Sequence, residues 1–206
     1  MRKSIIVLGL LFLTLPVLKA QDKEYRFTLV LEPVLSWMKS DEKNISSNGS
    51  LTGYNAGALF DYFFANNIAF ATGITINTAG GKLEYPTLGS TNTHKQTYRL
   101  RYVEVPIGMR LRSDDLHRIN IYGRFGLSPQ INIKAVDGNG DNINEEVRPF
   151  DIGYHLGAGI EYSLGGRNAL MFGLLLNNGF TDITKRAGFD DKAVHNRLVF
   201  EIGFIF

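Results

Sequence analysis

The strongest constraint on this chain is an alternation of period two. After Gln21 no stretch keeps a helical period for three turns, whereas apolar and polar residues alternate through eight successive stretches. In the sixth stretch Phe150, Ile152, Tyr154, Leu156, Ala158, Ile160, Tyr162 and Leu164 share one face. Asp151, Gly153, His155, Gly157, Gly159, Glu161 and Ser163 share the other. The pattern predicts strands at Arg26–Trp37, Leu51–Phe63, Ile68–Tyr85, Gln96–Arg112, Arg118–Lys134, Arg148–Leu164, Asn168–Phe180 and Asn196–Phe206. Composition agrees: 22 Gly, 14 Phe and 9 Tyr with only 6 Pro suit tight turns and pleated sheet. Cysteine is absent, which excludes a disulfide scaffold, a thiolate zinc site and a thiol nucleophile.

The connections alternate without exception. Residues 64–67, 113–117 and 165–167 are short; 38–50, 86–95, 135–147 and 181–195 are long and polar. Tight turns on one side and long loops on the other belong to transmembrane barrels, whose apolar faces point outward. A soluble barrel would carry the same alternation with the apolar faces inside. Aromatics near the strand ends on the apolar faces (Phe27, Trp37, Tyr54, Tyr62, Phe150, Tyr162, Phe204, Phe206) favour the membrane arrangement, as interfacial girdles. The expected fold is therefore an all-β, eight-stranded antiparallel up-and-down transmembrane barrel, with short periplasmic turns and longer external loops. The fourth stretch breaks the pattern. Val103, Val105, Ile107, Met109 and Leu111 form a clean apolar face, but Tyr98, Leu100 and Tyr102 fall on the opposite phase. Either a β-bulge lies near Tyr102, or the upper part of that strand stands clear of the bilayer.

The N-terminus reads as an address. Met1-Arg2-Lys3 is basic, Ile5 to Leu15 is apolar, and Leu18-Lys19-Ala20 closes the segment before Gln21. That order predicts a cleaved signal peptide over residues 1–20 and a barrel domain over 21–206. The whole chain has a net charge of +2. The leader holds three bases and no acid, so the mature chain keeps 19 basic against 20 acidic residues, a net of −1. Basicity then gives no support to nucleic-acid binding.

Two segments carry a resemblance. The run 198–206, Leu-Val-Phe-Glu-Ile-Gly-Phe-Ile-Phe, resembles the signal that the outer-membrane assembly machinery recognises, through Phe200, Ile202, Phe204 and Phe206. Residues 102–110, Tyr-Val-Glu-Val-Pro-Ile-Gly-Met-Arg, resemble a strand of the PorT-like outer-membrane β-barrel family. The resemblance implies a small integral barrel in a Gram-negative outer membrane. Some members of that family resemble accessory parts of a protein secretion system, so it implies a secretion or envelope partner more than an activity.

An eight-stranded barrel has a lumen that side chains fill. The expected inward face carries Glu32, Asp61, Glu104, Asp151, Glu161 and Glu201 with Arg26, Arg110, Arg124, Arg197 and His155. Isolated charges there are costly, so these residues are expected to pair in a network that fixes shear and register. Gly153, Gly157 and Gly159 are expected to make room for Tyr122 and Arg124. Catalytic signals are weak. His155 is the best candidate base, with Ser128 or Ser163 as nucleophile; a non-enzymatic barrel is the expectation. His94, His117 and His195 fall in separate loops or turns without ligand spacing. The run Asp137 to Glu146 begins like a calcium loop. It then fails, with Asn142 where the glycine belongs and Arg148 where the bidentate acid belongs. No cofactor or metal is expected. The expected partners are membrane lipid, the assembly machinery and a secretion or envelope protein, and the chain is expected to be monomeric. A barrel enzyme acting on lipid or peptide, or a narrow pore or small-ligand carrier, is the rival reading.

Overall fold

A computed structural model describes residues 25–41, 45–86, 93–185 and 192–206. The expected leader, residues 1–20, lies outside them. The strands are β1 (Tyr25–Ser40), β2 (Ser46–Ser47), β3 (Leu51–Ala65), β4 (Ile68–Pro86), β5 (Thr93–Glu104), β6 (Ile107–Arg112), β7 (Ile119–Val136), β8 (Phe150–Gly165), β9 (Asn168–Gly179) and β10 (Ala193–Ile205). β5 and β6 form one barrel strand, and β2 is a short pair on the upper end of β4. Each barrel strand pairs antiparallel with its sequence neighbour, and β10 pairs with β1 to close the ring. The barrel is thus closed and eight-stranded. Following the pairing once around, from Arg26 through Asp61, Ala71, Gly108, Gly126, His155, Asn177 and Arg197, returns to β1 at Ser36, ten residues higher. Such a stagger tilts the strands and sets which inward residues share a level.

The short connections do what their residues allow. At the β8–β9 turn Gly165 and Gly166 take φ of 116° and 60°, a region that favours glycine. At the β6–β7 turn His117 takes a φ of 63°. Pro106 has no N–H to give the ladder, and there the regular pairing lapses between β5 and β6. The alternation had suggested one unbroken strand.

The outward faces are those expected. Leu31 is 66% exposed and Leu156 58%, with Phe125, Ile131, Leu174, Phe200 and Ile202 also exposed. Near the short-turn end Tyr25 stacks on Tyr62 at 5.2 Å, and Phe27 lies 5.0 Å from Phe60 and 6.2 Å from Phe206. Near the other end Tyr154 lies 5.1 Å from Phe180.

Of the two explanations for the fourth strand, the structure shows the bulge. A bulge sits between Arg101 and Tyr102 where they face β7, and Ile133 is the extra residue. The inward phase nevertheless runs on unbroken: Tyr98, Leu100, Tyr102 and Glu104 are all buried, while Arg99 and Arg101 point out. What changes is polarity. In the long-loop half the interior is apolar, built from Met38, Ile45, Leu83, Tyr85, Tyr98, Leu100, Tyr102, Ala135, Ile143, Val147, Ile183 and Ala193. In the short-turn half and the middle the interior mixes buried ion pairs with apolar clusters around Met171 and Val199. The chain changes from one barrel logic to the other along its axis.

Candidate functional site

Alternation brings the inward residues together, and the stagger of ten decides which ones meet. Lowest, toward the short turns, Glu161 of β8 accepts from three guanidiniums: Arg26 at 3.0 Å, Arg110 at 2.7 Å and Arg112 at 3.0 Å. Arg110 also reaches Asp61 at 3.3 Å and lies 4.1 Å from the centre of the Tyr122 ring. Tyr122 and Arg124 sit two apart on β7 and share its inward face. Both turn to Glu201 of β10: Arg124 donates at 2.8 Å and the Tyr122 hydroxyl at 2.8 Å. Higher still, Arg197 donates to Glu104, which also accepts from Asn77 at 3.0 Å. Gln130 donates to Asp151 at 2.6 Å and Asn55 to Glu32 at 2.6 Å, and the Thr181 hydroxyl also donates to Asp151.

Burial explains why these groups pair. Asp61, Glu104, Arg110, Arg124, Glu161, Arg197 and Glu201 are all buried, and an unpaired charge in such a place costs several kcal/mol. Two expectations need correction. Glu32, Asp151 and His155 have no ion-pair partner among the described residues; side-chain amides and hydroxyls serve them instead. Of the three glycines expected to make room for Tyr122 and Arg124, only Gly159 does, since a Cβ there would meet the Tyr122 hydroxyl at 2.6 Å. At Gly157 it would meet Leu175, and at Gly153 the Asn178 carbonyl. Gly173, which the sequence reading passed over, is the tighter case: a Cβ would come within 2.3 Å of the Tyr122 hydroxyl and 2.9 Å of Glu201 Oε2.

Ser128 and His155 do come together, with Ser128 Oγ 2.9 Å from His155 Nδ1. Both are buried, at 0% and 2% exposure. Ser163 lies elsewhere, in a polar cleft of about 270 Å³ at the short-turn mouth with Arg112, Asp115, His117 and Arg167. In that turn Asn120 donates to the Asp115 carboxylate, and with Arg112 close by it stays below the usual Asp range. His94 and His195 are strand residues, not loop residues, because β5 and β10 begin earlier than the alternation indicated. His195 is buried against Tyr102, ring centres 6.1 Å apart, and neither ring nitrogen has a hydrogen-bond partner among the described residues.

Nothing converges as a metal set: among the described residues no three His, Asp or Glu side chains gather as ligands. The Asp137 carboxylate instead accepts from the backbone N–H groups of Asn139 at 2.8 Å and Asp141 at 2.9 Å. It closes its own turn, and those bonds, led by the one from Asp141, hold its pKa below the ordinary value.

Residues 23–185 match the family described as outer membrane protein beta-barrel domain. The chain belongs to that family. The match ends before β10, which closes the ring. Among solved structures the barrel resembles Neisserial surface protein A, at 16% identity and a TM-score of 0.54, over 87% of this chain and 95% of that one. It also matches OprG from Pseudomonas aeruginosa, at 14% identity and a TM-score of 0.46, over 89% and 95%. At such identities the likeness concerns the fold alone. None of the curated proteins compared with the chain matches it.

Proposed function

We propose that this protein is a non-enzymatic, monomeric outer-membrane barrel whose lumen is closed by its own side chains, and whose long loops face outward to dock a secretion or envelope partner. The observation that carries the closed lumen is the succession of buried ion pairs along it, from Glu161 with its three arginines through Arg124–Glu201 to Arg197–Glu104. An ion crossing the barrel would have to break them in turn. The apolar interior of the long-loop half adds a second barrier. The PorT-like strand at residues 102–110 supports the docking role, and the outward Phe200, Ile202, Phe204 and Phe206 are the residues we assign to recognition by the assembly machinery. No cofactor or metal enters this reading.

Planar-bilayer recording tests closure: the folded barrel should be silent in 1 M salt, a condition of about the most permissive screening. Stepwise conductance would replace this reading with a pore. Crosslinking and pull-down from native membranes tests docking; a barrel that always recovers alone would remove the partner. The Ser128–His155 contact keeps a hydrolase as the second reading. A serine-directed fluorophosphonate should leave Ser128 unlabelled, and labelling lost in His155→Ala with unchanged heat-modifiable gel mobility would favour the enzyme.

A further inference from the structure

On the outer face of β5 and β7 the chemistry stops suiting hydrocarbon near the long loops. Along β5 the outward series runs down from Arg99 and Arg101 to Val103, and Val105 continues it just past the strand. Arg101 stands two residues, roughly 7 Å, above Val103. In the pairing register Arg101 sits directly opposite Lys134 of β7, and the bulge at Ile133 keeps that lysine on the outer surface. Like charges directly opposite on a sheet repel. Among the described residues no carboxylate lies within ion-pair distance of Arg99, Arg101 or Lys134. The two carboxylates closest in register are engaged elsewhere. Glu84, opposite Lys95, accepts from Asn48 and Thr93, and Asp137, next to Val136, is bound into its own turn. Beside the arginines a surface groove of about 310 Å³ is lined by Leu51, Thr52, Thr78, Ala79 and Arg99. Its walls are apolar or hydroxylic, and its rim is cationic.

We propose that this surface binds the phosphorylated glycolipid of the outer leaflet, with Arg99, Arg101 and Lys134 on its phosphates and the groove holding an acyl chain or sugar edge. The level is right, since the three cations stand directly above outward Val103, Ile131 and Ile133, at the step from hydrocarbon to headgroup. The charge is right too, because a phosphate placed between Arg101 and Lys134 turns a cross-strand repulsion into two attractions. Arginine reads phosphate with two parallel N–H bonds, and Arg99 extends the patch one step outward. A soluble protein partner would not need the patch to begin where the lipid-facing side chains end. The inference rests on the proposed outward orientation of the long loops, and the experiment separates the two.

The mature barrel, folded in detergent, is titrated with bisphosphorylated lipid A, with the same lipid dephosphorylated, and with inorganic phosphate at matched concentration, and binding is followed by thermophoresis. Saturable binding of the bisphosphorylated lipid is expected, weakening more than tenfold on removal of its phosphates, with none for inorganic phosphate. The variant R99Q/R101Q/K134Q should lose more than tenfold in affinity while keeping its heat-modifiable gel band. Equal binding of the dephosphorylated lipid to the wild type, equal binding by the triple variant, or equal capture of inorganic phosphate each overturns the proposal. The first and third comparisons use unaltered protein, so they decide even where the variant does not fold. Orientation is read independently from Gly138→Cys on intact cells with a membrane-impermeant maleimide. No labelling overturns the loop orientation and the glycolipid proposal with it; labelling without phosphate dependence overturns the glycolipid proposal alone.

Discussion

The Arg124–Glu201 pair offers the sharpest test of a dry, closed lumen. The two charges are 2.8 Å apart, and the side chains are 7% and 0% exposed. Glu201→Gln keeps one oxygen that can accept from the Tyr122 hydroxyl, and puts an uncharged amide NH2 where the other oxygen accepts from Arg124. Arg124 is then left buried without its anion. Breaking a buried pair in this way costs about 3–5 kcal/mol, against about 0–1 kcal/mol for a pair in water. At a urea slope of about 2 kcal/mol per M, the unfolding midpoint should fall by roughly 1.5–2.5 M. The assay is urea titration of the barrel in lipid vesicles, followed by tryptophan fluorescence of Trp37 and by gel mobility. The variant Y122F/R124M/E201L removes both charges and the hydroxyl together, replacing them with side chains of similar volume. Most of the loss should be recovered, because a well-packed apolar set is often as stable as a buried pair. A Glu201→Gln barrel within about 1 kcal/mol of wild type would refute the reasoning, since it would mean that water screens the pair.

Gly173→Ala should cost about 1–3 kcal/mol, because its Cβ would drive into the Tyr122 hydroxyl and Glu201, whereas Gly123→Ala meets only the Gly157 carbonyl at 3.8 Å and should be near neutral in the same titration. Leu156→Arg, placed midway along the outward face of β8, should lose about 2–4 kcal/mol, and a neutral result would deny that this face meets lipid. The Asp137 turn has a pH signature. Its carboxylate is depressed in the folded state, so its contribution is present above the ordinary Asp value of about 3.9 and fades as pH falls through the lower folded value. Carbon-detected NMR of the Asp137 carboxyl should show a midpoint below that of an unfolded peptide, and a midpoint at or above it would remove the turn bonds as the cause.

The period-two pattern carried most of the architecture. Every strand face led by residues such as Leu156, Phe172 and Phe200 lies outward as the alternation implied, because a one-residue slip would have turned charges into the exterior. The pattern could not carry the contacts across the lumen. Tyr122 meets Glu201 through a separation of 79 residues, and that encounter depends on the stagger around the ring, which no local pattern encodes. The anion partners Asn55, Asn77 and Gln130 are inward-phase amides, and a charge pattern does not reveal neutral donors. Tyr98, Leu100 and Tyr102 looked out of register because the alternation was read with one polarity throughout. Their phase is regular; it is the surrounding medium that changes. Pro106 announced the gap between β5 and β6 through its missing N–H, which alternation of polarity ignores.

The seam between the first and last strands governs how the molecule can come into being. Hairpins such as β8–β9 can zip up as soon as their own residues are free, but the bonds between Phe27 and Phe206 join places 179 positions apart. Until that seam shuts, both terminal ribbons present bare donors and acceptors to whatever lies alongside, and the greasy exterior has no hydrocarbon to rest on. Transit through water is therefore the hazardous stage for this polypeptide, and an escort must shield both margins until insertion. Once shut, the cylinder has no margin left to peel from, so its loss of structure should be abrupt and whole.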